Sequence, residues 1–192
     1  MTNKFICDIL FQNNIVLTKI VKMSKKLNET TSYKIAESEF VIESLTGEYN
    51  PIEKLTNNKV KYYFGNDFKI HILNPVKVVD GIPEMKFSKH KFTETTYDKE
   101  IMENFGISEK SGLMTREEIL RVIDDLTSKQ PKGEDVILIN DGNCTIIGYL
   151  MCDDGVVRVA YVRWDSDYAR WYCYCKDLGR WDSGNEVLSS NK

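Results

Sequence analysis

The runs Val156-Val157-Arg158-Val159-Ala160-Tyr161-Val162-Arg163-Trp164 and Ala169-Arg170-Trp171-Tyr172-Cys173-Tyr174-Cys175-Lys176-Asp177-Leu178, around Asp165-Ser166-Asp167, read as a β-hairpin. Branched and aromatic residues suit a pleated strand, and Asp and Ser side chains bond nearby amides in turns. All three tryptophans of the 192-residue chain fall between Trp164 and Trp181. Strand side chains alternate between two faces. On the first strand Val157, Val159 and Tyr161 share one side, and Arg158, Ala160, Val162 and Trp164 the other. On the second, Ala169, Trp171, Cys173 and Cys175 oppose Arg170, Tyr172, Tyr174 and Lys176. With the first set of each strand taken as core, Arg158, Arg170, Tyr172, Tyr174 and Lys176 form an outward face, edged by Trp164 and Trp181. Rigidly held Tyr and Arg anchor interfaces, because they bury much area and still offer directed hydrogen bonds. The competing reading is Arg–Tyr stacking that merely covers a sheet.

Arg-Trp-Asp-Ser occurs at Arg163–Ser166 and again at Arg180–Ser183. Two hairpin ends closed by a Trp and an Asp-Ser turn explain the repetition. A Trp164–Trp181 sandwich around a planar ligand or sugar ring is the alternative.

Upstream, Thr115 and Glu118 form a capping box for an amphipathic helix over about 115–129, with Ile119, Leu120, Val122, Ile123 and Leu126 as its apolar stripe. Strands over Val136–Ile139 and Thr145–Cys152 then lead into the hairpin. The predicted class is α+β, with mainly antiparallel sheet in both halves and the helix packed on a C-terminal meander.

Composition changes along the chain. All six arginines follow Met114, and 16 of the 20 lysines lie at or before Lys110. We expect a lysine-rich, mostly β module over residues 1–108 and a second module over 113–192, joined across Gly106–Gly112. In the first module, Lys59–Phe64 and Phe68–Leu73 around Gly65-Asn66-Asp67 fit a hairpin. Glu39–Leu45 and Val76–Val79 are further strands. The apolar spacing of Val16, Ile20, Met23 and Leu27 leans to a helix, with a hairpin of Phe5–Phe11 and Ile15–Val21 around Gln12-Asn13-Asn14 as the alternative.

The formal charge of −3 gives no general attraction to nucleic acid or anionic membranes. Lys59, Lys61, Tyr63, Lys69, Lys86, Lys89 and Lys91 provide a local alternative that tracks a phosphate backbone. Five cysteines without framework spacing, no secretory leader and no membrane-length apolar run fit a soluble cytoplasmic protein. A zinc site from Cys144, Cys152, Cys173 and Cys175 lacks paired knuckles, so inert thiols are the preferred reading, with no metal and no cofactor. Neither His71 nor His90 neighbours a convincing Cys, Ser or carboxylate partner in sequence, and Asp124-Asp125 and Asp153-Asp154 point in divergent directions.

These features favour a non-enzymatic protein docking on a protein or nucleoprotein complex, as an inhibitor or adaptor. The lysine- and asparagine-rich first half suits an accessory protein of a mobile element or phage. A nucleic-acid-associated protein and an enzyme with a dispersed active site are the alternatives.

Overall fold

Asp165 pairs with Arg170, Trp164 with Trp171, Val162 with Cys173 and Tyr161 with Tyr174, so the hairpin forms with a four-residue connection. The Asp165 carboxylate closes that connection by accepting from the Asp167 and Tyr168 amides, as its Asx chemistry predicts. The computed structural model describes residues 33–34, 39–57, 59–134 and 136–190, all within the compact unit Tyr33–Lys192. The helical stripe read over 16–27, and Cys7, lie outside the described residues.

In chain order the strands are β1 (Tyr33–Lys34), β2 (Glu39–Ile42), β3 (Leu45–Tyr49), β4 (Tyr62–Phe64), β5 (Val79–Ile82), β6 (Met85–Phe92), β7 (Thr96–Tyr97), β8 (Thr145–Met151), β9 (Val157–Asp165), β10 (Arg170–Asp177), β11 (Arg180–Trp181) and β12 (Glu186–Ser190). The helices are α1 (Pro51–Asn57), α2 (Asn66–Phe68, continued by a π-helical turn over Lys69–Leu73), α3 (Asp98–Asn104) and α4 (Arg116–Ser128). An eight-stranded sheet runs β1-β6-β12-β8-β9-β10-β4, with β2 also on β6. It is antiparallel except where β4 joins β10 and β12 joins β8. β3–β5 and β7–β11 form two small ribbons. The molecule is therefore mixed α and β around a large, mostly antiparallel sheet, and β8–β9–β10 is the meander.

Strands from either side of Gly106–Gly112 pair within the same sheet, β4 with β10 and β6 with β12. The shift from lysine to arginine and cysteine does not interrupt the hydrogen bonding.

Two apolar clusters form, one on each face of the central strands. The larger packs Leu120, Ile123 and Leu126 of α4 with Ile147, Leu150, Ala160, Val162, Trp164, Trp171, Cys173 and Cys175. The smaller gathers Phe92, Ile101, Ile146, Tyr149, Val159, Trp181 and Val187. Helix α4 starts as its sequence requires: Thr115 Oγ1 accepts from the Glu118 amide at 3.1 Å, and Glu118 Oε2 accepts from the Thr115 amide at 2.8 Å.

Three elements differ from the sequence reading. Phe68–Leu73 is helical rather than the second arm of a hairpin. Phe68 and Ile72, four residues apart, are fully buried while Ile70 is exposed, which is helical periodicity. Strand β4 finds its partner in β10 instead. Val136–Ile139 is not a strand, because the Gln130 side chain replaces the ladder: Oε1 accepts from the Ile137 and Leu138 amides and Nε2 donates to the Leu138 carbonyl. The strand read over Val76–Val79 instead begins at Val79, as β5. Strands β6 and β12 have no counterpart in the sequence reading. Among the described residues no helix is long and apolar enough to cross a membrane.

Gly133 adopts φ +70°, and a Cβ there would overlap the Trp164 indole. Gly142 has φ +89° but faces open space. Gly133→Ala should cost about 2–4 kcal/mol, combining left-handed strain with overpacking. Gly142→Ala should cost only about 1–2 kcal/mol, from strain alone. Urea unfolding of the two variants should show that difference in midpoint.

Candidate functional site

Residues directly opposite on antiparallel strands share a face. Pairing Trp171 with Trp164 and Cys175 with Ala160 therefore joins the first set of β10 to the second set of β9. The sequence reading matched these sets the other way. Arg158 consequently lies opposite Asp177, on the face away from Arg170, and it is held by Asp154 at 2.8 Å and Asp177 at 3.0 Å. Arg163, which that reading passed over, takes its place opposite Tyr172.

The resulting face is continuous. Tyr63 on β4 pairs with Tyr172 on β10, their ring centroids 4.8 Å apart. Tyr172 stacks on Tyr174 at 5.7 Å, Tyr174 on Tyr161 at 5.3 Å, and Tyr161 meets Trp181 edge-on at 5.0 Å. Guanidinium and ammonium groups lie against these rings. Arg170 sits 5.1 Å from Tyr63, 4.7 Å from Tyr168 and 4.9 Å from Tyr172. Arg163 sits 5.7 Å from Tyr172, and Lys176 lies 3.6 Å from the Trp181 centroid. Such contacts are each worth about 0.5–2 kcal/mol, and they fix long side chains that would otherwise be mobile. The guanidinium of Arg170 also donates to the Tyr172 hydroxyl at 2.8 Å, and that bond raises its pKa. Desolvation lowers the pKa of Lys176, with Asp98 acting in the opposite sense. Burial pushes the Tyr161 phenol up to about 12 and raises Tyr174 as well.

Exposure is graded along the band. Tyr172 is buried, whereas Arg163, Arg170, Tyr174 and Lys176 are half-buried. Tyr63 is 40% exposed, and Tyr168 at the hairpin tip is 64% exposed. The next residue, Ala169, has φ 46°. A left-handed alanine costs about 1–2 kcal/mol, so the turn keeps its shape against local strain.

The two outer tryptophans do not form a sandwich. Trp164 is buried in the larger cluster, tilted on Trp171 at 5.3 Å. Trp181 is 4% exposed in the smaller one. The fully buried Asp98 positions Trp181: Oδ1 accepts from the Trp181 indole at 2.7 Å and the Tyr149 hydroxyl at 2.6 Å, while Oδ2 accepts from the Gly179 amide at 2.7 Å. Asp98 carried no sequence signal, because its three donors lie more than fifty residues away in the chain.

The lysines are dispersed. Lys59 and Lys61 precede β4, and Lys69 lies on the π-helical turn. Lys86, Lys89 and Lys91 lie on β6, separated from β4 by β12, β8, β9 and β10. Lys86 is within 3.3 Å of Glu84, and Lys89 within 3.4 Å of Glu186 while donating to the Ile137 carbonyl.

The cysteines are divided between the faces: Cys152, Cys173 and Cys175 lie in the larger cluster and Cys144 against the smaller. Burial drives the Cys173 thiol strongly upward and Cys175 up to about 12. Among the described residues no group of three or more His, Cys, Asp or Glu side chains is placed to hold a metal ion. His90 Nε2 lies 2.8 Å from Ser189 Oγ, a contact across strands that the sequence could not suggest. Ser189 is 5% exposed and the Phe105 ring lies tilted against the imidazole at 4.7 Å, so a substrate has little approach to the hydroxyl. Burial lowers the pKa of His90.

Asp98→Ala would remove the acceptor shared by the buried Trp181 indole, the Tyr149 hydroxyl and the half-buried Gly179 amide and should cost about 3–5 kcal/mol. Trp181 fluorescence should shift toward the red in the folded variant as water reaches the indole. An unchanged melting temperature would show that the carboxylate does not hold this corner. No protein-family model, curated protein or solved structure matches the chain.

Proposed function

We propose that the protein is a non-enzymatic binding protein, an inhibitor or adaptor, that docks on another macromolecule through the face formed by β4, β9, β10 and the hairpin tip. The observation that carries this reading is the band of stacked tyrosines with arginines laid against them, exposed most at Tyr63 and Tyr168. A band of this kind loses little entropy on binding. Its rings and guanidiniums are already held by one another and by the sheet beneath, so a partner need not order them. Tyr and Arg together offer large apolar area and directed donors, the combination found in interface hot spots.

The first set of interface residues is accordingly revised. Arg170, Tyr172, Tyr174 and Lys176 remain. Arg163, Tyr63 and Tyr168 join them, and Arg158, Trp164 and Trp181 move to supporting roles on or beneath the sheet. A photo-crosslinking residue at position 168, introduced in the cells that naturally make the protein, should yield one discrete adduct of higher mass. Arg170→Glu should remove that adduct without lowering the melting temperature by more than a few degrees. The same crosslinker at exposed Ile70, off this face, should give none. No adduct from position 168, or the same adducts from both positions, would end the docking reading.

A further inference from the structure

Four of the six arginines are neutralised by aspartates: Arg116 by Asp153 at 2.8 Å, Arg121 by Asp124 and Asp125 at 3.9 and 3.8 Å, Arg158 by Asp154 and Asp177, and Arg180 by Asp182 at 3.6 Å. Among the described residues, Arg163 and Arg170 have no carboxylate within ion-pair reach. Both lie on the tyrosine face, and in each the buried Nε has no hydrogen-bond acceptor. Asp165, the nearest acid in sequence to both, commits Oδ1 to the Asp167 and Tyr168 amides. In a protein with net charge −3, the band thus holds two guanidiniums without an ion-pair partner, although the charge of Asp165, opposite Arg170 on the neighbouring strand, still acts on it.

We propose that this face receives an acidic segment of a partner protein, whose Asp or Glu carboxylates pair with Arg163 and Arg170 while its apolar groups cover Tyr63 and Tyr168. The inference rests on the docking reading above and names the partner's chemistry. A guanidinium presents a planar fork of donors that matches a carboxylate in two parallel bonds. Pairing within this ring-lined band would be stronger than on an open surface, because water is partly excluded. A polyanionic strand fits less well. Stacking bases need free ring faces, and here the rings stack on one another and carry the guanidiniums. A phosphate backbone also needs a continuous track of cations, whereas the band offers the three separate cations Arg163, Arg170 and Lys176.

The test uses a fluorescein-labelled decaglutamate peptide and a labelled oligouridylate of equal charge, titrated separately against the full chain at low salt. Decaglutamate should bind, and the Arg163→Gln/Arg170→Gln double variant should bind it about tenfold more weakly or worse. Arg180→Gln should leave the affinity unchanged. An Arg163→Lys/Arg170→Lys variant, which keeps charge but loses the fork, should fall between the two and guards against a folding defect in the glutamine variant. Tighter binding of oligouridylate than of decaglutamate would overturn the proposal, as would no decaglutamate binding or equal binding by wild type and the glutamine variant. A discrete adduct at position 168 combined with any of these failures removes only the acidic chemistry. Loss of the adduct removes the docking face itself.

Discussion

The cross-strand pairing of Trp164 with Trp171 decides where every other side chain of β9 and β10 points. Because both indoles lie beneath α4 in the larger cluster, Val162, Ala160, Cys173 and Cys175 follow them inward, and Tyr161, Arg163, Tyr172 and Tyr174 must emerge on the other side. A one-residue slip would bring Arg163 and Arg170 into an apolar core at a cost of several kcal/mol each. The two faces therefore protect one register. Gly133 supports the arrangement from below, since the Trp164 ring occupies the space where a side chain would stand.

The opposite face is organised differently, by a buried charge rather than by apolar volume alone. Asp98 gathers a phenol from β8 and both an amide and an indole from the Gly179–Trp181 stretch. It lies at the start of α3, so the carboxylate also tethers that helix to the turn between β10 and β11. Trp181 in turn supports Lys176 and Tyr161. The interface proposed for the tyrosine band is thus continuous with a hydrogen-bonded core, and its far end rests on polar contacts that tolerate little rearrangement.

Much of the local structure was legible because its causes are local. The capping box of α4, the Asx turn at Asp165 and the strands on either side need only nearby residues. The errors share one origin. Phe68, Ile70 and Ile72 fit alternation as well as Phe68 and Ile72 fit a helix, and the strand that decides between them lies over a hundred residues away. Val136–Ile139 has strand-forming residues but no neighbouring strand, since Gln130 satisfies its amides. Strand β6 was hidden by Lys86, Lys89 and Lys91, whose charges suggested a solvated surface although Phe87 and Phe92 beside them are buried. The site was half legible for the same reason. Alternation divides each strand into two sets, but only the register says which sets meet, and this choice exchanged Arg158 for Arg163.

Strand β12 is inserted between β6 and β8, near the middle of the sheet, although it follows every other strand in the chain. During synthesis, β6 and β8 must wait with apolar flanks unpaired until Glu186–Ser190 leaves the ribosome. Such late closure by distant segments is slow and leaves nascent edges open to wrong partners. A premature stop even ten codons before Ser190 would remove the keystone of the sheet rather than trim its margin.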